Sequence, residues 1–332
     1  MKDKRIKRIL IATGIYPPDV GGPAQYAYEL AKVWRQSGLT VDVKYFSLEK
    51  KLPTGIRHLF FLLKSLRAIL RADYILVLDT WSAALPTALG AMILGKRFVI
   101  RTGGDFLWES YVERTKEKIL LSEFYKTKRN FSNKERFVFR ITSWILKRAS
   151  KIVFSTDWQR QIWALPYDLD LAKTAVIENY FGEKISSENY KSKSFLGATR
   201  KLVWKNLDSL EGAFRGLDAK LDLATSSHEV FLERMKQCYG VILVSLGDIS
   251  PNMILDAVRC SKPFIVTREI GIYDRIKDIG VFVDPLNTED IKEKVLWLLN
   301  EENYKNQRSL VEKFSFTHSW QQIGEELLNI KQ

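Results

Sequence analysis

A chain of 332 residues, 46% hydrophobic and 12% aromatic, is long enough for two domains with real cores, and this composition excludes intrinsic disorder. No apolar run reaches bilayer-spanning length, and two cysteines (Cys238, Cys260) with three scattered histidines (His58, His228, His318) give no disulfide framework and no metal-ligand spacing, so no metal site is expected. The net charge of +13 is uneven: residues 1–180 hold 31 Lys and Arg against 17 Asp and Glu, and residues 181–332 hold 21 against 22, so the first half either meets something anionic or is simply a soluble basic surface.

The start, "MKDKRIKRILIATG", is basic, but its apolar stretch of about five residues is too short for a secretory signal and reads as a first strand; a cytoplasmic location is expected. Strand-like runs then alternate with amphipathic helical runs. "RILIAT" (8–13) leads into a Gly/Pro-rich loop and a helix near 24–36. "VDVKYF" (41–46), "YILVLD" (74–79), "RFVIRT" (97–102), "KIVFST" (151–156) and "TAVIEN" (174–179) follow. The polar stretch 181–194 reads as a linker, after which "KLDLAT" (220–225), "GVILVS" (240–245), "PFIVT" (263–267) and "VFVD" (281–284) resume the rhythm. This is the pattern of doubly wound parallel sheets, and it predicts an α/β chain of two Rossmann-like domains with a cleft between them. The expected organisation is a first domain over 1–180, a linker over 181–195, a second domain over 196–318 and a terminal helix over 319–332.

Four stretches could carry chemistry. In "GIYPPDVGGPAQYAYELA", Gly21 and Gly22 precede a helix start, where backbone N–H groups can meet an anion; an ordinary strand-to-helix turn explains them equally well. The loop is not G-x-G-x-x-G, which argues against a nicotinamide enzyme. In "GATRKLVWKNLDSLEGAF", Arg200 and Lys205 bracket a short loop and could neutralise a diphosphate leaving group, or be solvated surface charges. In "SLGDISPNMILDAVRC", Ser250 suits a helix N-cap with Pro251 at the first helical position. Asp248 then falls in the loop, Asn252 stands among the free N–H groups, and Asp256 lies on the helix, where Arg259 at i+3 is its ordinary partner. In "RTGGDFLWES", Asp105 and Glu109 follow the fourth strand, a position that serves either a turn or a site.

Taken in order, these stretches resemble the nucleotide-sugar glycosyltransferases of family four, which have the GT-B fold. Arg200 and Lys205 match the family's Arg, four residues, Lys element. Asp248 and Asp256 stand where it has two Glu separated by seven. "PNMILDAVRCSKPFIVT" is similar to its "PN-x-x-LEA-x-x-C-G-KP-x-I". The resemblance covers nearly the whole chain. It implies retaining transfer of a hexosyl group from a nucleoside diphosphate sugar to a glycan or lipid-linked acceptor, as in cell-envelope polysaccharide synthesis, with no metal and no other cofactor. Carried over, Arg200 and Lys205 hold the diphosphate, Asp248 faces the sugar and Asp256 the ribose. Gly21, Gly22, Pro251 and Asn252 contribute to donor binding, and the last helix crosses back to the first domain.

Three departures stand out. Each family Glu is an Asp, shorter by one methylene, or roughly 1.3–1.5 Å. A histidine common after the fourth strand is Gly103 here, leaving Asp105 as its substitute candidate in catalysis and Glu109 as the acceptor-side candidate. The region between the helix near 207–216 and the strand at 240–245 is abbreviated by about one strand-helix unit. The alternative reading is therefore a weak or inactive relative that binds sugar nucleotides or glycans. A nucleic-acid partner is not expected, for no zinc or RNP-type signature is present. Finally, "GIRHLFFLLKSLRAILRA" (55–72) is a basic amphipathic helix with Arg57, Lys64, Arg67 and Arg71 on one side. It suits either an anionic membrane surface, with peripheral attachment at the inner face, or a core-facing helix with a solvated basic stripe.

Overall fold

The computed structural model describes residues 6–19, 21–197, 200–225 and 227–330. In chain order the elements are β1 (Arg8–Thr13), α1 (Gly22–Gln36), β2 (Thr40–Tyr45), α2 (Thr54–Arg71), β3 (Tyr74–Val77), α3 (Ala84–Ile93), β4 (Val99–Thr102), α4 (Phe106–Thr115), α5 (Leu121–Phe124), α6 (Asn133–Arg148), β5 (Lys151–Phe154), α7 (Asp157–Ala164) and β6 (Thr174–Val176). There follow β7 (Ser194–Gly197), α8 (Leu207–Phe214), β8 (Lys220–Asp222), α9 (His228–Gln237), β9 (Gly240–Leu243), α10 (Asn252–Arg259), β10 (Phe264–Thr267), α11 (Tyr273–Ile276), β11 (Val281–Val283), α12 (Thr288–Leu299), α13 (Glu301–Lys313) and α14 (Trp320–Asn329). Two all-parallel sheets result, ordered β2-β1-β3-β4-β5-β6 and β11-β10-β9-β7-β8. Helices cover both faces, which is why the strands read as nearly continuous apolar runs rather than alternating ones.

The chain packs as two units: Met1–Gly103, Phe131–Tyr180 and His318–Gln332 form the first, and Gly104–Asn130 with Phe181–Thr317 the second. In the first, α14 seals the sheet layer. Ile323 and Leu327 enter the same core as Ile9, Leu30 and Leu76. The Trp34 indole donates to the Gly324 carbonyl (3.2 Å), and the Tyr74 hydroxyl donates to that of Leu327 (2.9 Å). The C-terminal helix thus returns to the N-terminal sheet, as expected.

Three features differ from the sequence reading. Residues 104–130 do not continue the first unit: Trp108 and Leu121 pack against Gly247, where an added Cβ would fall 2.5 Å from Leu121 Cβ. The stretch expected to be a linker is stapled to the second unit. Phe181 is buried, Ile185 N donates to Arg259 O (2.9 Å), and the Lys184 ammonium donates to Val258 O (2.7 Å) and Val311 O (2.5 Å). These carbonyls end α10 and α13, where helices leave acceptors unmet and welcome a cation. Its last residue opens β7, an interior strand of the second sheet. Third, the solvated side of α2 is more than a basic stripe. Ile56, Leu59, Phe60, Leu63 and Leu70 face outward, while Lys64 turns back onto the buried Glu49 and donates to Tyr45 O (2.6 Å). No described helix is long and apolar enough to cross a membrane.

Candidate functional site

In a parallel sheet the loops after adjacent strands emerge at the same edge. β7 lies beside β9, and β9 beside β10, so the loops carrying Arg200 and Lys205, Asp248, and Glu269 converge. Lys205 ends a 3-10 turn over Val203–Lys205, and Asn206 follows in the left-handed region (φ 55°). The Asn206 amide donates to the carbonyls of Val244 (3.3 Å) and Pro285 (2.6 Å), which fixes where the lysine leaves the backbone. Lys205 then reaches Asp248, with Nζ 2.6 Å from Oδ2 and both side chains mostly buried. Asp248 is held in turn: its N–H donates to Glu269 O, and its carbonyl accepts from Gly271 N, both at 2.9 Å.

The 104–130 segment braces this loop pair. Glu113 accepts the Val203 N–H (2.6 Å), Leu121 N donates to Leu246 O (3.0 Å), and the Trp108 and Trp204 rings lie 5.8 Å apart. Ser122 donates to Glu269 through both its N–H (3.1 Å) and its hydroxyl (2.9 Å). Asp105 is almost fully buried. It accepts from Trp108 N (2.9 Å) and from the Tyr125 hydroxyl (2.8 Å), the geometry of an N-cap for α4. The group turned to the charge cluster is Glu109. Burial, then the nearby charges of Asp105 and Asp248, push its carboxyl up to about 7 against the pull of Lys205 and Arg200. Arg200 itself is exposed, and the residues just before it, 198 and 199, lie outside the described ones. The structure therefore brings Arg200, Lys205, Asp248, Asp105 and Glu109 into one electrostatic neighbourhood.

Asp256 answers to other partners. It is buried on α10, with Arg259 Nη1 and His228 Nε2 each 2.9 Å from one of its oxygens. Its carboxylate pulls the His228 imidazole up from its ordinary pKa. Pro251, not Ser250, occupies the N-cap position of α10. Ser250 makes no cap bond, and its buried hydroxyl oxygen has no partner among the described residues. The first helical bond runs from Ile254 N to Pro251 O (3.0 Å), which leaves the Asn252 and Met253 N–H groups ahead of it. Gly21 and Gly22 belong to the first unit. A Cβ on Gly21 would meet Ile15 Cδ1 at 2.9 Å, whereas Gly22 faces open space. Among the described residues no three His, Cys, Asp or Glu are grouped to hold a metal.

Sequence reasoning missed Trp204, Gly247, Glu113, Glu269 and His228. Only Gly247 carried a local signal, a glycine directly before the loop acid; the others are identified by packing across long sequence separations.

No family model matches the chain, and no curated protein matches it. Solved structures do. HepE from Anabaena, in complex with UDP and glucose, is 13% identical over 98% of this chain and 100% of its own, with a TM-score of 0.69. The catalytic domain of starch synthase IV from Arabidopsis thaliana, bound to ADP and acarbose, is 12% identical over 98% and 99%, with a TM-score of 0.68. WaaG, a glycosyltransferase involved in lipopolysaccharide biosynthesis, is 12% identical over 98% and 99%, with a TM-score of 0.67. The two parallel-sheet α/β halves of this chain share the fold of these structures, the GT-B fold.

Proposed function

We propose that the chain transfers a hexosyl group from a nucleoside diphosphate sugar to a glycan or lipid-linked acceptor, with retention and without a metal. The observation that carries this reading is the Lys205–Asp248 pair, set beside Arg200 and Glu109 at the carboxyl edge of the second sheet. When the bond between the sugar's C1 and the diphosphate breaks, the diphosphate gains charge. Lys205, Arg200 and the first N–H groups of α10 are the groups suited to take it up, and fixed donors of this kind contribute a large share of catalysis. Asp248 is suited to a sugar hydroxyl and Asp256 to the ribose. Glu109, a carboxyl poised near neutrality, can accept a hydrogen bond from the incoming hydroxyl, whose proton leaves with the diphosphate. The basic first unit fits a cytoplasmic enzyme working against the anionic inner face of a membrane.

The second reading, a sugar-nucleotide or glycan-binding module without turnover, is favoured by one observation: both acids are already engaged, Asp248 by Lys205 and Asp256 by Arg259 and His228. Thermal-shift screening of UDP-, GDP- and ADP-sugars, followed by an assay of nucleoside diphosphate release, separates the two. The transferase reading expects release that falls about a hundredfold or more in Lys205→Ala. Tight nucleotide binding with no release in the presence of acceptor extracts supports the module, and absence of nucleotide binding overturns the transferase and restricts the module to glycans.

A further inference from the structure

Helices α2 and α3 lie against each other at Gly90, where a Cβ would fall 2.7 Å from Ile69 Cδ1 and 3.0 Å from Leu62 Cδ1. Beside this seam the outward face of α2 presents Ile56, Leu59, Phe60, Leu63 and Leu70, each more than half exposed. Their spacing of three, four, seven and fourteen residues from Ile56 puts them on a single stripe. Helix α3 continues it with Leu89, Met92 and Ile93, the last 70% exposed. Of the 21 large apolar residues exposed among those described, eight fall on these two helices. A surface of this kind marks an interaction site rather than ordinary exposure.

Charge says what kind. From residue 50 to residue 72 the chain has six Lys or Arg and no acid, and from 80 to 104 it again has no acid. Arg67 is exposed within the apolar stripe, between Ile56 and Phe60 in helical rotation, and Arg71 is exposed at its edge; Lys96 and Arg97 follow the end of α3. The first unit as a whole holds 26 Lys and Arg against 14 Asp and Glu, which is nearly all of the excess charge of the protein. A second copy meeting this face through a two-fold axis would set these cations against themselves. An anionic bilayer meets both demands, with apolar side chains entering the acyl boundary and arginines staying level with the phosphates.

We propose that the α2–α3 face docks on an anionic phospholipid surface, with Leu59, Phe60 and Leu63 inserted below the headgroups and Arg67 and Arg71 on the phosphates. This gives the membrane-side location proposed above a definite surface. It stands apart from the transfer chemistry: a chain that binds vesicles but releases no nucleoside diphosphate keeps this inference and loses the other.

The test is flotation of the full chain with phosphatidylcholine vesicles, with and without phosphatidylglycerol. Binding is expected only to the anionic vesicles at low salt. Leu59→Glu/Leu63→Glu should lower it by roughly a hundredfold, and Arg67→Gln/Arg71→Gln by about thirtyfold, with melting temperatures unchanged for these surface sites. Leu63→Gln serves if the double acid misfolds. Both native cysteines are buried, so a Phe60→Cys variant labelled with an environment-sensitive dye reports insertion directly, and a blue shift on anionic vesicles is expected. Failure of the unaltered chain to float, or equal flotation of the Leu→Glu pair, overturns the proposal. So does a concentration-dependent dimer that Leu59→Glu/Leu63→Glu dissociates while vesicle binding is absent; that result assigns the face to a second copy.

Discussion

Glu109 offers a direct measure of how tightly the acids of the second unit are crowded. Its carboxyl moves from the ordinary 4.5 to about 7 because burial and the charges of Asp105 and Asp248 disfavour ionisation. The folded form therefore holds a proton between about pH 4.5 and 7 that the unfolded chain has released. Stability from this group is intact below 4.5 and is lost as pH rises through 7. Each pH unit corresponds to about 1.4 kcal/mol, so the ceiling is about 3 kcal/mol. The side chain keeps some contact with solvent, and water screens the cost to roughly 1–2 kcal/mol. Glu109→Gln removes the charge without changing the shape. At pH 8 it should melt higher than the unaltered chain by about 2–8 °C in the transition that includes the second unit, and at pH 4.5 the two should coincide. Scanning calorimetry at both pH values decides the matter. A gap of equal size at the two pH values, or no gain at pH 8, would refute the electrostatic account of this cluster.

Further outcomes follow from other contacts. Gly247→Ala sets a Cβ 2.5 Å from Leu121 Cβ and 3.1 Å from the Trp108 ring. It should cost about 1–3 kcal/mol and weaken nucleotide binding together with stability, as read by denaturant unfolding and titration. Asp248→Glu lengthens the acid that meets Lys205. Faster nucleoside diphosphate release would mean that reach limits the enzyme, and slower release would mean that the pocket is built around aspartate. His228 is raised by Asp256, so its contribution is present below its ordinary pKa of 6.5 and fades as pH climbs past the raised value. The melting difference between His228→Ala and the unaltered chain should thus be open at pH 6 and closed at pH 9.

The strands that form each sheet were largely legible in the sequence because a strand buried on both faces leaves an apolar run that needs no partner to be recognised. "RILIAT" matches β1 residue for residue. β7 was missed because its four residues, "SFLG", follow a polar stretch and take their place only through pairing with β8 and β9. The candidate acids were picked out by their positions in the sequence, but position could not show their partners. Asp105 turns inward as a cap while Glu109, one turn on, holds the unusual charge; the two are told apart by Tyr125, twenty residues away. Periodicity likewise placed the cations of α2 on one side, yet only packing reveals that the sheet takes the His58, Phe61, Ser65 and Ile69 side and leaves the leucines outside.

The return of α14 has a consequence for the order in which the chain can fold. Ile323 and Leu327 belong to the core built around β1 and β3, although about 250 residues of chain separate them from Leu76. During synthesis the first sheet is complete once β6 has emerged, yet its Trp34 indole and Tyr74 hydroxyl still lack the carbonyls that satisfy them. The second unit has its bracing segment, 104–130, in hand before its own strands appear. It can therefore close first, and the N-terminal sheet waits with a hydrophobic flank uncovered until residues 320–329 leave the ribosome, a window in which it depends on chaperones or on speed.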